Sequence, residues 1–499
     1  MFDVNRFSSQ PIIVFVIAII LSACSPQNGD SRTTIGDSAK RPLFSACRLP
    51  SLSMAVECAN ITVPLKRDYP QSQETISLRI VRLPANTLRP DPDPLIFLAG
   101  GPGQAASALA PFASALVEIR RTRDIFLIDQ RGTGESSPLS CAALRDDPDA
   151  TLAQSLDQEM VTRVHRCLDE LRAKNINPLD YGTLAFVEDI EDVRRMLSLK
   201  TINMWAGSYG TRVALEYLRR YPENVRTLTL DGVVSPSRSI IAGGWQTREE
   251  RLNDVIRACA LSESCGKLQL EKILQTLITK FPPSGKRTTI TNPRTGTSET
   301  VLINFDTIIA SLQFLLYTPE NAALIPYLIE QIAADRFEPL AAATQSFSRQ
   351  IEGQLSPALH FSVLCAEDTQ MASQHSNLSL TRSLYRQSLE ACAPWPIADN
   401  FSSRIPVINN NTPVLLLSGT LDPVTPPAYA EEVAKTLAKH RAVVAKNHGH
   451  IISTQSCAPS LLAAFIKTAD TKDLPEDCVN LLGKSAPSFL WSNALFPEP

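Results

Sequence analysis

The segment Met204-Trp205-Ala206-Gly207-Ser208-Tyr209-Gly210-Thr211 sets a serine and a tyrosine between two glycines, after an apolar run and before a helical pattern. A serine on a strand-to-helix turn projects its hydroxyl beyond the strand end, and small neighbours are needed because the backbone is strained and other chain passes close. Such a serine performs acyl transfer once a base takes its proton and a carboxylate orients that base. Both partners follow in the chain: Asp422 in Ser418-Gly419-Thr420-Leu421-Asp422-Pro423, and His448 and His450 in Asn447-His448-Gly449-His450. Upstream, Leu98-Ala99-Gly100-Gly101-Pro102-Gly103 offers backbone that can approach a tetrahedral oxyanion with no side chain in the way. Pro102 has no N–H, so Gly101 and Tyr209 are assigned as the oxyanion donors. Each piece alone has a plainer reading, as a tight turn, a Gly/Pro loop or an Asx turn. Only together do they make a site.

Groups this far apart in sequence need a scaffold that brings strand ends to one edge. Residues 75–83 alternate through Ile76, Leu78 and Ile80, and short apolar runs follow at 94–98, 124–128, 201–206, 413–417 and 442–445. Helical spacing occupies 105–119, 186–199 and 211–220. Strands alternating with helices predict an α/β fold, with a mostly parallel sheet covered on both faces. Ser208, Asp422 and the histidine pair each follow a predicted strand. From 235 to 404 the alternation is lost and helical patterns dominate, at 248–260, 268–280, 305–316 and 322–334. That stretch reads as a cap inserted into the fold.

One further motif, Asp129-Gln130-Arg131-Gly132-Thr133-Gly134-Glu135-Ser136, follows the run at 124–128. With it, the chain resembles the serine aminopeptidases of the α/β-hydrolase fold: the prolyl aminopeptidases and especially their tripeptidyl-aminopeptidase-like relatives. Those enzymes carry an H-G-G-P-G-type loop, a D-Q-R-G-x-G-x-S segment and a G-x-S-Y-G-type elbow in this order. Ala99 stands here for the loop histidine and Ala206 for the first elbow glycine. The resemblance implies the α/β-hydrolase fold with a large helical cap before the acid-bearing strand, and a triad of Ser208, Asp422 and His450. His450 is preferred because Gly449-His450, shortly before Cys457, matches the family's histidine; His448 is the alternative. Asp129 and Arg131 are expected to brace the loop beneath the site. His165, His360, His375 and His440 read as surface or packing residues.

A cap that admits only a chain end implies an exopeptidase releasing residues or a short peptide from the free N-terminus of a peptide substrate through an acyl-enzyme, with no cofactor and no metal. Val363-Leu364-Cys365-Ala366-Glu367-Asp368 resembles the family's cap segment that supplies acids for the substrate ammonium, making Glu367 and Asp368 candidates and Glu249 and Glu250 rivals. A solvated or salt-bridged face is the plainer reading of all four. A carboxylesterase or lipase-type hydrolase of small acyl esters would use the same machinery; a binding protein on a hydrolase scaffold is a third class.

Composition sets the remaining bounds. With 499 residues, 44% of them apolar, and a net charge of −3, the chain is long enough for a large core and carries no basic excess for nucleic acid. The apolar run 11–21 lies between Arg6 and Ser22-Ala23-Cys24, which reads as a signal peptide ending in a lipobox-like sequence. Cys24 is then the lipidated first mature residue, and Ser25 in place of aspartate implies an outer-membrane anchor facing the periplasm. An ordinary secretory leader or a buried N-terminal helix is the alternative. The other ten of the eleven cysteines allow five disulfides between near neighbours: 47–58, 141–167, 259–265, 365–392 and 457–478. Zinc is disfavoured by the lack of paired C-x-x-C spacing. The expected organisation is a leader over 1–23, a polar tether over 24–41, a hydrolase core over 42–234 and 405–499, and a cap over 235–404. Oligomeric state is not legible.

Overall fold

The computed structural model describes residues 43–484 apart from 70, 145–159, 294, 353, 373–377 and 400–410. The leader, the tether and Cys24 lie outside the described residues, as does His375.

Runs of apolar residues too continuous for a one-sided sheet become its buried centre. Leu95–Leu98 (β4), Ile125–Ile128 (β5) and Ile202–Gly207 (β6) are buried at every position. With Ser45–Cys47 (β1), Val56–Pro64 (β2), Thr75–Leu83 (β3), Val225–Asp231 (β7), Val414–Gly419 (β10) and His440–Ala445 (β11), they form a nine-stranded sheet in the order β1-β2-β3-β5-β4-β6-β7-β10-β11. β4, β5, β6, β7, β10 and β11 run parallel. β1, β2 and β3 form an antiparallel extension joined to β5. This is the α/β-hydrolase architecture.

β4 lies between β5 and β6, so the chain leaves it toward one side and returns on the other. Ligands bind outside the carboxyl ends of the strands at such a reversal. The glycine loop follows β4 and Ser208 follows β6, which puts both at that crevice.

Three strands of the sheet lie outside the expected runs: β1 is only three residues long, β2 alternates with polar residues, and β7 interleaves threonines. The predicted helix 105–119 is broken into a 3₁₀ turn Ala106–Leu109 and helices Ala110–Ala115 and Val117–Arg120, with Leu116 out of helical geometry at φ −77°, ψ 58°. Pro111 at the second position of the middle piece can start a helix but not continue one.

Between β7 and β10 stand helices that include Ile240–Ala260, Leu270–Lys280, Phe305–Phe314, Ile325–Ala333, Pro357–Glu367 and Arg382–Cys392. Among them is a hairpin, Lys286–Thr291 (β8) with Ser298–Ile303 (β9), whose threonine-rich strands carry no strong apolar signal. Most of these elements bury a cluster of their own around Leu252, Ile256, Leu312 and Ile329. Helix Pro357–Glu367 instead packs Ala358, Leu359 and Val363 into the main core. All five neighbour disulfides are formed, with Cα–Cα distances of 4.9–5.8 Å.

Candidate active site

The elbow is strained in the manner its sequence predicts. Ser208 sits at φ 55°, ψ −126°, at the N-cap of helix Tyr209–Arg220; for a residue with a Cβ this costs about 1–3 kcal/mol. Its N–H donates to Asp231 O (2.9 Å), pinning the turn to the neighbouring strand. The flanking glycines answer to close approach. A Cβ on Gly207 would lie 2.7 Å from the Trp205 ring, and one on Gly210 would lie 2.5 Å from Leu98 O and 2.7 Å from Ala99 O. Gly210→Ala must therefore push back the end of β4 and the glycine loop together. A loss of about 1–3 kcal/mol is expected, read as a lowered melting temperature with reduced turnover.

Asp422 and His450 come together after β10 and β11. Asp422 is fully buried; its Oδ1 accepts from Val424 N (2.9 Å) and Thr425 N (2.8 Å), and its Oδ2 from Thr425 Oγ1 (2.7 Å) and His450 Nδ1 (2.7 Å). Burial opposes the carboxylate charge, but the His450 ring and the Thr425 bonds outweigh it and hold the carboxyl below its usual range. Burial likewise opposes a charge on His450. Asp422, by charge and hydrogen bond, outweighs it and raises the imidazole above its ordinary value, with Asp231 adding to the rise and Arg248 opposing it. The ring rests on Gly232, where a Cβ would come within 2.8 Å of His450 Cε1. Gly232 directly follows the residue that holds Ser208, so imidazole and elbow share one strand end. Ser208 Oγ has no hydrogen-bond partner among the described residues; catalytic bonds of this kind tighten as substrate binds. His448 turns its Nδ1 to Lys446 O (2.9 Å) instead.

The glycine loop lies against the serine. A Cβ on Gly100 would fall 2.9 Å from Ser208 Cβ. Gly100 N is engaged by Gln104 Oε1 (3.3 Å), whereas Gly101 N donates to no group among the described residues. Tyr209 is the first residue of its helix, so its N–H has no intrahelical acceptor. Its phenol is fully buried and bonded to Thr183 Oγ1 (2.7 Å).

Asp129 and Arg131 act as braces. Asp129 accepts from Ser107 N (2.7 Å) and Ser107 Oγ (2.9 Å), and burial pushes it up to about 6. The guanidinium of Arg131, with no exposure, binds Asp189 twice (2.7 and 2.5 Å) and the carbonyls of Pro64, Leu65 and Asp180.

The four carboxylates expected to receive an ammonium group each hold partners within the fold. Glu367 accepts from Thr183 N and Oγ1 (both 2.6 Å), capping helix Thr183–Met196; burial pushes it up to about 7. Asp368 accepts from Ser239 Oγ (2.7 Å), Ile240 N and Ile241 N (both 2.8 Å) at the start of helix Ile240–Ala260, with Arg212 at 3.4 Å. Glu249 accepts from Ser379, Leu380 and Thr381 at the start of helix Arg382–Cys392. Glu250 pairs with Gln246 Nε2 (3.0 Å) on an exposed face. Acids beside helix N-termini are drawn to unpaired N–H groups, a competition that a linear motif does not display.

Residues that sequence reasoning missed crowd the same crevice. Thr425 Oγ1 lies 3.1 Å from His450 Nδ1 as well as on Asp422. Asp231 accepts from Ile452 N (2.9 Å) and Ser453 N (2.7 Å), fixing the loop just past His450. Tyr317 O accepts from His450 N (3.0 Å), and its ring meets the imidazole edge-on at 5.5 Å. His360 Nδ1 donates to Pro102 O (2.9 Å) at the glycine loop. Asp231 is the last residue of β7, a strand that no apolar run in the sequence marks.

Comparison with known proteins agrees with this geometry. Residues 93–248 match a family described as alpha/beta hydrolase fold, and residues 378–478 one described as TAP-like protein. The serine protease Hip1 of Mycobacterium tuberculosis is 21% identical over 496 residues, spanning 90% of this chain and 93% of Hip1. Carboxylesterase B of the same organism is 32% identical over 231 residues, 42% of each chain. Tripeptidyl aminopeptidase of Streptomyces coelicolor is 26% identical over 203 residues, 38% of this chain and 37% of its own. The last two alignments thus span less than half of those relatives. With the elbow and the glycine loop on one sheet edge, the chain has the α/β-hydrolase fold and is similar to serine hydrolases that include a serine protease and a tripeptidyl aminopeptidase.

Proposed function

We propose that this chain is a serine exopeptidase that releases residues or a short peptide from the free N-terminus of peptides. The observation that carries the reading is the buried Asp422–His450 pair, bonded at 2.7 Å and resting on the strand end that holds Ser208. His450 Nδ1–H is held by Asp422, which leaves Nε2 as the base. It takes the Ser208 proton as Oγ attacks the scissile carbonyl, Gly101 and Tyr209 N–H receive the oxyanion, and the imidazolium protonates the leaving amine. Water, deprotonated by the same imidazole, then hydrolyses the acyl-enzyme.

The base works only when neutral, so activity is present above the folded-state value of His450 and lost as pH falls through it. Because Asp422 raises that value, the acidic limb of kcat/KM is expected above the ordinary histidine value of about 6.5. A pH profile on one peptide measures it; a limb below 6 would remove His450 from the role.

In this reading residues 235–404 form a lid over the sheet edge. Residues 1–23 serve as an export leader, 24–41 as a tether, and Cys24 as a lipid anchor at an outer membrane facing the periplasm; five formed disulfides support an oxidising compartment. No described helix is long and apolar enough to cross a membrane.

The likeness to Carboxylesterase B and the engagement of all four expected ammonium acceptors favour one second reading, hydrolysis of small acyl esters. Free and N-blocked peptides, with products identified by mass, separate the two. Cleavage of free peptides only, counted in residues released, is the expected result; turnover of short-chain esters beside silence on every peptide overturns the peptidase reading.

A further inference from the structure

The crevice holds a cation that the chemistry above does not use. Arg248 lies on helix Ile240–Ala260 and folds back along it, where a Cβ on Gly244 would come within 3.1 Å of Nη1. Its guanidinium stands 5.1 Å from the Trp245 ring centroid and donates one bond, Nη2 to Tyr317 Oη (3.3 Å). Tyr317 is the residue that touches His450 by backbone and by ring edge, so Arg248 is one aromatic ring from the catalytic imidazole. Its charge opposes protonation of His450, against the larger pull of Asp422.

Among the described residues no carboxylate forms an ion pair with Arg248. The acids beside it in sequence are spoken for: Glu249 caps helix Arg382–Cys392, and Glu250 bonds Gln246. Of the buried arginines, Arg131 and Arg212 pair with Asp189 and Asp368, while Arg120 is held by the Pro84 carbonyl. A half-buried guanidinium that forms no ion pair among the described residues, set one ring from an imidazole that must become positive, adds to the positive charge there. An incoming anion reverses that balance, and the planar fork suits a carboxylate held by two parallel bonds.

We propose that Arg248 is a specificity residue that binds a carboxylate of the substrate, carried either on an aspartate or glutamate side chain beside the scissile bond or on the C-terminus of a short peptide. The inference rests on the peptidase reading for the source of the carboxylate.

The test is a set of matched pairs on the purified mature protein: peptides with glutamate or glutamine at each position flanking the cut, and short peptides ending in a free carboxylate or an amide. In the unsubstituted protein one pair is expected to differ roughly ten- to hundredfold in kcat/KM, the scale of a hydrogen-bonded charge pair. The pair that responds identifies the carboxylate's source. In Arg248→Met the ratio within that pair falls toward one, and in Arg248→Lys it is partly kept. Labelling of Ser208 by a fluorophosphonate shows that each variant is folded. Ratios within twofold for every pair, or a preference that survives Arg248→Met, overturn the proposal while leaving peptide cleavage standing. Should no peptide be cut at all, the peptidase reading fails separately, and the same comparison on half-esters of dicarboxylic acids against their neutral amides decides the role of Arg248.

Discussion

Ser208→Ala is expected to lower kcat on any cleaved substrate by on the order of 10⁶-fold, with KM little changed. The loss is chemical: alanine keeps the Cβ that already tolerates φ 55°, the bond from residue 208 N to Asp231 O and the packing against Gly100, so the elbow stands without its nucleophile. A residual rate, on the order of 10³ above water, remains from the oxyanion donors and substrate binding. Steady-state kinetics on the best peptide, with fluorophosphonate labelling of both proteins, checks this. Activity within tenfold of the unsubstituted enzyme would move the nucleophile elsewhere.

Asp422→Asn is expected to lower kcat by about 10⁴-fold. An asparagine can keep an oxygen toward Val424 N and Thr425 N, so the turn survives. Its amide nitrogen then faces Thr425 Oγ1 and His450 Nδ1, both of which donate to Asp422 in the native site. The imidazole must take the other tautomer and present an N–H to Ser208, where a lone pair is required. Removing the carboxylate also removes the main group raising His450, so the acidic limb of the remaining activity moves to lower pH. A mutant with unchanged kcat, or with an unmoved limb, would assign the orienting role to another carboxylate, of which Asp231 is the nearest by electrostatic influence on the ring.

How the sequence marked these residues differs from one to the next. Ser208 was legible because its requirement is local: a positive φ, a strand before, a helix after, and glycines where Trp205 and the end of β4 come too close. The five disulfides were legible because their partners are near in sequence, 6 to 27 residues apart. The α/β fold was legible from buried runs spaced by helical patterns, whereas β2, β7 and the hairpin β8–β9 escaped because threonines and charged residues mask their pairing.

What only the tertiary structure decided is which charged groups remain available. Sequence proximity to a family segment offered Glu367 and Asp368 to a substrate ammonium, yet each meets the unpaired N–H groups of a helix that begins far away in the chain, at Thr183 and at Ile240. It likewise took the packed structure to bond His450 rather than His448 to Asp422, and to set Thr425 and Asp231 around that ring. The nucleophile, the acid, the glycine loop and the cysteine pairs follow from constraints written within a few residues or in simple chain order. The pairing of charges does not, because a carboxylate or guanidinium is claimed by whatever donor or acceptor the fold brings within about 3 Å, and that neighbour is set by packing rather than by position in the chain.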